Sequence, residues 1–310
     1  MEDSTHQEVV LRTHNLGKKF GKRWAVKDIN LEVYRGDVFG FLGPNGAGKS
    51  TTIRMILTLL NPTTGSIEIL GKDLYRNRTP VLSRVGGIVE KADFYLYLSA
   101  YTNLEILGSM TRKVPRDEIM DALSRVGLKS RAFDKVKTFS HGMKQRLGIA
   151  QSLLTKPELI ILDEPTSGLD PQGMKEVREL IKRLSSASGI TIFLSSHLLS
   201  EVELVATRMA VINRGELIAQ GAVSELLGRE PMTYSIQVSP LDAAVELIRG
   251  LPWVDILSAQ EGKLEARLEP GRSSELNRLL VTNKVEVSSF SPHRTLEDFF
   301  LKITEGTSEI

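Results

Sequence analysis

The sequence predicts an α/β fold: a largely parallel sheet covered on both faces, interrupted by a helical insert and followed by a small α+β domain. Three observations carry this. Residues 37–60 read as a buried strand, a glycine-rich turn and an amphipathic helix. Strands and helices alternate again from Leu159 to Ala219, the pattern of parallel strands joined by crossover helices. Beyond Gly228-Arg229-Glu230-Pro231 the order becomes strand, helix, two strands, helix, strand, which is ferredoxin-like.

In chain order, Met1 to Gln7 is polar and acidic, unlike a signal peptide. Val9 to Leu16 and Ala25 to Leu31 read as strands around a polar turn, Gly17 to Lys22. Phe20 lies in that turn, where a ring either staples the sheet beneath or stacks on a base. Val38, Phe39, Phe41 and Leu42 form the strand before the glycine-rich turn; Ile53, Ile56, Leu57 and Leu60 form the helical stripe after it. Short strands follow at Ser66 to Leu70 and Val85 to Val89, the latter ending at Glu90.

The helical insert spans about 92–155. Ser99 caps a helix from Ala100 to Thr111, Pro115 opens a second stopped by Gly127, and Ser140 caps a third ending before Pro157. Leu159 to Leu162 is wholly apolar, as suits a central parallel strand. Pro171 opens a helix to about Ser186, Thr191 to Leu194 is a strand, and His197 to Ala206 reads as a helix. Met209 to Ile212 and Leu217 to Ala219 form a hairpin about Asn213-Arg214-Gly215. The C-terminal domain follows, with strands at Tyr234–Val238, Val254–Leu257, Lys263–Leu268 and Val285–Phe290. Its helices are expected at Leu241–Gly250, Ser273–Leu280 and, closing the chain, Thr295–Ile303. His293 reads as a surface or packing residue.

Composition bounds the function. The 310 residues are 41% hydrophobic and 25% charged with a net charge of +2, so no overall field points to nucleic acid. The absence of cysteine excludes disulfides, zinc–thiolate sites and cysteine nucleophiles. No apolar run approaches the roughly 18 residues of a spanning helix, so any membrane served must be crossed by another chain.

Gly43, Gly48, Lys49 and Ser50 satisfy G-x-x-x-x-G-K-[ST]. Gly43, Gly46 and Gly48 let the backbone curl so that its N–H groups converge on one concavity. That concavity lies at the positive end of a helix and favours a polyphosphate. Lys49 adds a mobile charge for the terminal phosphates, and Ser50 offers Mg²⁺ a hydroxyl. Farther along, Leu159 to Glu164 delivers two carboxylates at the C-terminal end of an apolar strand, where open α/β sheets bind ligands. Asp163 is placed to hold Mg²⁺, and Glu164 to orient and deprotonate water. An acidic strand end before the Pro165-Thr166 turn is the plainer alternative. His197, just after the next strand, is either a packing residue or a partner for a γ-phosphate and water.

In this order and approximate spacing the motifs resemble the nucleotide-binding subunit of an ABC transporter, a P-loop ATPase. Gly43–Thr51, including Asn45, resembles the Walker A loop, Leu159–Glu164 the Walker B strand, Pro165–Asp170 the D-loop and His197 the switch histidine. The resemblance covers residues 8–228, leaving 233–310 as an accessory domain. It implies that ATP with Mg²⁺ is bound by Phe20 and the Walker A residues, with Ser50, Glu90 and Asp163 toward the metal. It also implies that Lys49, Glu164 and His197 carry the chemistry. The insert resembles the family's helical subdomain, which meets a membrane partner.

Two positions depart from the family pattern. Phe139-Ser140-His141-Gly142-Met143 stands where Leu-Ser-Gly-Gly-Gln is usual, so His141 replaces a glycine while Ser140 and Gly142 are kept. Glu90 stands where glutamine is usual. Both resemble exporter cassettes with a separate permease, such as bacitracin and daunorubicin resistance exporters. The implied assembly is a homodimer or heterodimer on the cytoplasmic face of the membrane, with Ser140, Gly142 and Asp170 serving the opposing subunit's nucleotide. A soluble non-transport ABC ATPase and a non-hydrolysing regulatory subunit are the alternatives. No nucleic-acid partner is expected.

Overall fold

The structure, a computed structural model, describes residues 8–89, 93–228 and 232–292. The N-terminal heptapeptide, Glu90, His293 and the expected helix Thr295–Ile303 lie outside the described residues. The chain divides into two compact units, Met1–Gly221 and Ala222–Ile310.

The first unit opens with strands β1 (Val9–Phe20), β2 (Arg23–Ile29), β3 (Glu32–Tyr34) and β4 (Val38–Leu42), then helix α1 (Lys49–Ile56). β5 (Thr64–Ile69), β6 (Lys72–Asp73), α2 (Arg78–Leu82) and β7 (Val85–Ile88) follow. The insert supplies α3 (Ala100–Ser109), α4 (Arg116–Arg125) and α5 (His141–Leu153), with two single 3₁₀ turns between α4 and α5. The unit closes with β8 (Leu159–Leu162), α6 (Pro171–Ser188), β9 (Thr191–Ser196), α7 (Leu199–Glu203), β10 (Arg208–Asn213) and β11 (Glu216–Ala222).

These strands make two sheets. One runs β2-β1-β5-β6, with β3 also on β1, and is antiparallel in β1–β2, β1–β3, β1–β5 and β5–β6. The other runs β11-β10-β4-β9-β8-β7, parallel from β10 to β7. β4 and β8 are buried at every position, which is why their sequences are unbroken apolar runs. Phe39 and Phe193 stack across β4 and β9 with ring centroids 5.5 Å apart. The parallel register brings the C-terminal ends of β4, β8 and β9 to one edge, so the phosphate loop, the carboxylate pair and His197 emerge side by side.

The caps expected in the insert form: Ser99 accepts from the Thr102 amide, and Ser140 from the Met143 amide. Two other expectations need correction. β1 does not stop at Leu16 but continues through irregular pairing with β2 to Phe20. A Cβ at Gly17 would lie 2.4 Å from Thr64 Oγ1, so glycine there admits a neighbouring strand rather than a turn. Phe20 therefore ends a strand. The helix expected over His197–Ala206 is only Leu199–Glu203. Ser196 Oγ accepts from the Leu198 amide at 2.9 Å and Leu198 is extended, so His197 stays out of the helix.

The second unit holds α8 (Val223–Gly228), β12 (Met232–Ser239), α9 (Leu241–Ile248), β13 (Val254–Gln260), β14 (Lys263–Leu268), α10 (Ser273–Thr282) and β15 (Glu286–Pro292). Its sheet order, β13-β14-β12-β15, is antiparallel throughout and is the ferredoxin-like arrangement. Ile236, Leu264, Leu268, Ile248, Leu276 and Leu280 form its fully buried core.

Candidate active site

α1 begins directly after a loop that only glycine can shape at two points. Gly46 has φ 78° and Gly48 has φ 112°. A Cβ on Gly48 would also sit 2.7 Å from the Ala25 carbonyl oxygen, whereas one on Gly46 would meet nothing within 4 Å. Gly48 packs the loop against β2; Gly46 faces open space. Gly43 has an anchoring role: its amide donates to Ser196 O at 3.3 Å, and a Cβ would press on Ile212 O at 2.3 Å. No side chain caps α1, which leaves its first amides to the cleft. Lys49 is buried and its ammonium arches back over the loop, donating to Gly43 O at 2.7 Å and Pro44 O at 3.3 Å.

β8 presents the two carboxylates differently. Asp163 is buried, and its Oδ1 accepts from Ser195 Oγ at 2.5 Å. Glu164 turns outward because its backbone is left-handed, φ 50°, an uncommon conformation for a non-glycine residue. Ser195 Oγ also accepts from the Glu164 amide at 2.9 Å, so one hydroxyl on β9 holds both acidic residues. The Glu164 carboxylate lies between two cations or donors. His197 Nδ1 is 2.7 Å from Oε2, and Lys49 Nζ is 3.3 Å from Oε1. A carboxylate only accepts, so Nδ1 carries the proton and Nε2 of the neutral ring is left to accept.

These groups open onto one cleft of about 1320 Å³, lined by Phe20, Asn45, Gly46, Gly48, Lys49, Ser50, Thr51, Glu164 and His197 among others. The sequence therefore places nine of its candidate residues in one cavity. Phe20 is 53% exposed there, with Lys18 Nζ over its ring at 5.3 Å from the centroid. Asp163 and Gly43 are not among its lining residues, though each is next in the chain to one that is. Ser140, Gly142 and Asp170 do not line it. Ser140 caps α5, and a Cβ on Gly142 would meet Gly173 of α6 at 3.6 Å. Asp170 caps α6 through the Gly173 amide at 3.3 Å. His141 sits inside the first turn of α5 with helical backbone, so replacing glycine there imposes no left-handed strain. Its Nδ1 instead contacts Gly168 O at 2.9 Å.

Sequence reasoning missed Ser195, whose only signal was a Ser-Ser pair between an apolar strand and His197. It also missed Arg23, Trp24, Asn213 and Arg214, which line the cleft from β2 and the β10–β11 turn. Among the described residues no helix is long and apolar enough to cross a membrane, and no group of three or more His, Cys, Asp or Glu could hold a metal by itself.

Comparison with known proteins places this geometry. Residues 26–167 match the ABC transporter family model. The bacitracin transport ATP-binding protein BcrA of Bacillus licheniformis is 41% identical over 299 residues, covering 96% of this chain and 98% of that one. The chain belongs to the ABC transporter family. This ABC subunit binds and hydrolyses ATP to power transport. Its fold matches cbiO1 of Clostridium perfringens, part of the transporter complex cbiONQ, with a TM-score of 0.66 and 28% identity over 79% of this chain and 97% of that one. The cassette MJ0796, solved as a dimer with ADP and Pi after hydrolysis, matches with a TM-score of 0.61 and 25% identity over 69% of this chain and 98% of that one.

Proposed function

We propose that this ABC subunit drives export through a separate membrane-spanning permease, working as a dimer at the cytoplasmic face of the membrane. The observation that carries the chemical part is the Glu164 carboxylate, held at 2.7 Å from His197 Nδ1 and 3.3 Å from Lys49 Nζ at the mouth of the phosphate-loop cleft.

In this reading the amides of Gly46 to Thr51 wrap the terminal phosphates, and the Lys49 ammonium moves from Glu164 onto them. Relieved of that cation, the Glu164 carboxylate accepts a proton from the attacking water. His197 keeps the carboxylate oriented through Nδ1–H, and its Nε2 is left to accept a hydrogen bond from the water. Positioning and electrostatics supply most of such a phosphoryl-transfer rate.

The residues present also suit Mg²⁺. Mg²⁺ usually takes one or two carboxylates and completes its shell with water and substrate phosphate. Buried Asp163, whose Oδ1 is held by Ser195, and Ser50, which lines the cleft, would supply such a partial set. The ion would neutralise charge on the β- and γ-phosphates. Glu90, the third expected ligand, lies outside the described residues.

What the cleft leaves out supports the dimer. Ser140, Gly142 and Asp170 stand apart from their own chain's cleft, as expected if they close over the partner's nucleotide. His141 on Gly168 joins α5 to the turn before Asp170 within one chain, so that both would meet the partner together. We assign 8–228 to the ATPase domain, α8 of the second compact unit included, about 92–155 to its permease-facing helical part and 233–310 to an accessory domain that braces the dimer.

Affinity purification of the tagged chain from detergent-solubilised native membranes tests the partner. A stoichiometric polytopic protein is expected. Recovery of a dimer alone, or of ribosomes or DNA-repair proteins, would contradict the transport assembly and leave the ATPase chemistry standing.

A further inference from the structure

The far end of the cleft carries two cations that the chemistry above does not use. Arg23 lies on β2 directly opposite Phe20 in the β1–β2 register, and Arg214 lies in the β10–β11 turn. Both line the same cleft as Phe20 and Lys49. Among the described residues neither guanidinium has a hydrogen-bond or ion-pair partner.

The turn that carries Arg214 is fixed to the phosphate loop. The Gly215 amide donates to Ala47 O at 2.9 Å, and the Lys27 amide donates to Gly215 O at 2.8 Å. A Cβ on Gly215 would sit 2.8 Å from the Ala25 carbonyl oxygen, the same atom that a Cβ on Gly48 would meet at 2.7 Å. Ala25 is thus the shared contact of the phosphate loop and the β10–β11 turn, with Arg23 two residues before it. Arg214 itself is left-handed, φ 49°, so the turn directs a charged residue from an uncommon backbone conformation. The arrangement holds two cationic side chains at fixed roots between the Phe20 ring and the start of α1.

We propose that Arg23 and Arg214 form a clamp on the nucleotide's α-phosphate, the phosphate nearest the ribose. This rests on the reading that the cleft takes ATP. With a base on Phe20 and the terminal phosphates on Lys49, the stretch between them is the ribose and α-phosphate. A guanidinium fork fits phosphate oxygens in paired hydrogen bonds and keeps its charge at any working pH. Glu164 is the cleft's carboxylate and it stands at the phosphate end, so the nucleoside side is purely cationic in its ionised groups. The Phe20 ring gives affinity for any base, and the clamp gives affinity for any nucleotide carrying that phosphate. The site consequently grips ADP almost as it grips ATP, and release of ADP depends on these two arms.

Calorimetric titration of wild type, R23A, R214A, R214K and R214E with ATP, ADP and GTP tests this. R23A and R214A are expected to weaken all three nucleotides by about tenfold. R214E is expected to weaken them further and R214K less, with thermal midpoints unchanged because both arginines are exposed. A loss confined to ATP would move the contact to the γ-phosphate, and a loss that differs between ATP and GTP would move it to the base. Either result, or unchanged affinity, overturns the clamp. Failure of the wild type to bind any of the three would instead overturn the ATP reading of the cleft.

Discussion

Ser195 shows how much of the site depends on one small side chain. Its hydroxyl donates to Asp163 and accepts from the Glu164 amide. It thereby pins the left-handed turn that swings Glu164 into the cleft. Ser195→Ala would leave a buried carboxylate oxygen and an amide unpaired, costing about 1–3 kcal/mol of stability. Because it also loosens the carboxylate, turnover should fall by at least about tenfold. Thermal unfolding and phosphate release on the same preparation would measure both, and a loss of stability with unchanged turnover would remove the positioning role. At this scale the sequence was legible where chemistry is local. Gly46, Gly48, Lys49 and Ser50 lie within five residues and fix each other's geometry. Ser195 was not legible, because its partners are on a neighbouring strand more than thirty positions away. Arg214 and Phe20 come to line one cleft only once two sheets have formed.

The elements that follow the site are coupled to it. α6 starts from the Asp170 cap, and α7 starts just after His197. Arg178 of α6 donates to Glu201 of α7 at 2.6 Å, and both side chains are largely buried. That pair fixes where the segment carrying His197 leaves β9. Glu201→Ala should destabilise the protein by about 1–3 kcal/mol through the uncompensated guanidinium. It should also lower kcat more than it raises KM for ATP, since the residue touches no nucleotide. A proportional rise in KM would show that α7 serves binding instead. The helix expected at His197–Ala206 failed for a related reason. Its apolar spacing fits a helix, but Ser196 takes the Leu198 amide, and a side-chain bond to backbone overrides periodicity. The strands β4 and β8 were legible because burial on both faces leaves no other pattern open to them.

For the whole molecule, the division of labour was readable in outline. Alternating strands and helices gave the parallel sheet, and the strand order of the last unit gave the ferredoxin-like fold, whose sheet order only pairing could establish. In the proposed assembly the chain works with a second copy. Ser140 and Gly142 have no role in their own cleft, so nucleotide should bring two copies together. Glu164→Gln, expected to bind ATP but cleave it slowly, should elute at twice the 34.4 kDa monomer mass with ATP and Mg²⁺ and as a monomer without nucleotide. Light scattering behind size exclusion measures this. A monomer under both conditions would place the functional surface of α5 elsewhere.

The proposed mechanism has Glu164, oriented by His197, drawing the proton from the attacking water. Its most direct test is steady-state phosphate release by wild type and Glu164→Gln, with ATP affinity measured in parallel. The amide keeps the side chain's size and an acceptor for His197 but is too weak a base. Turnover should fall by roughly 10²–10⁴ while ATP affinity stays within a few-fold of wild type. Turnover equal to wild type would contradict the account, because the carboxylate at the mouth of the cleft would then be a structural partner of Lys49 and His197 and nothing more.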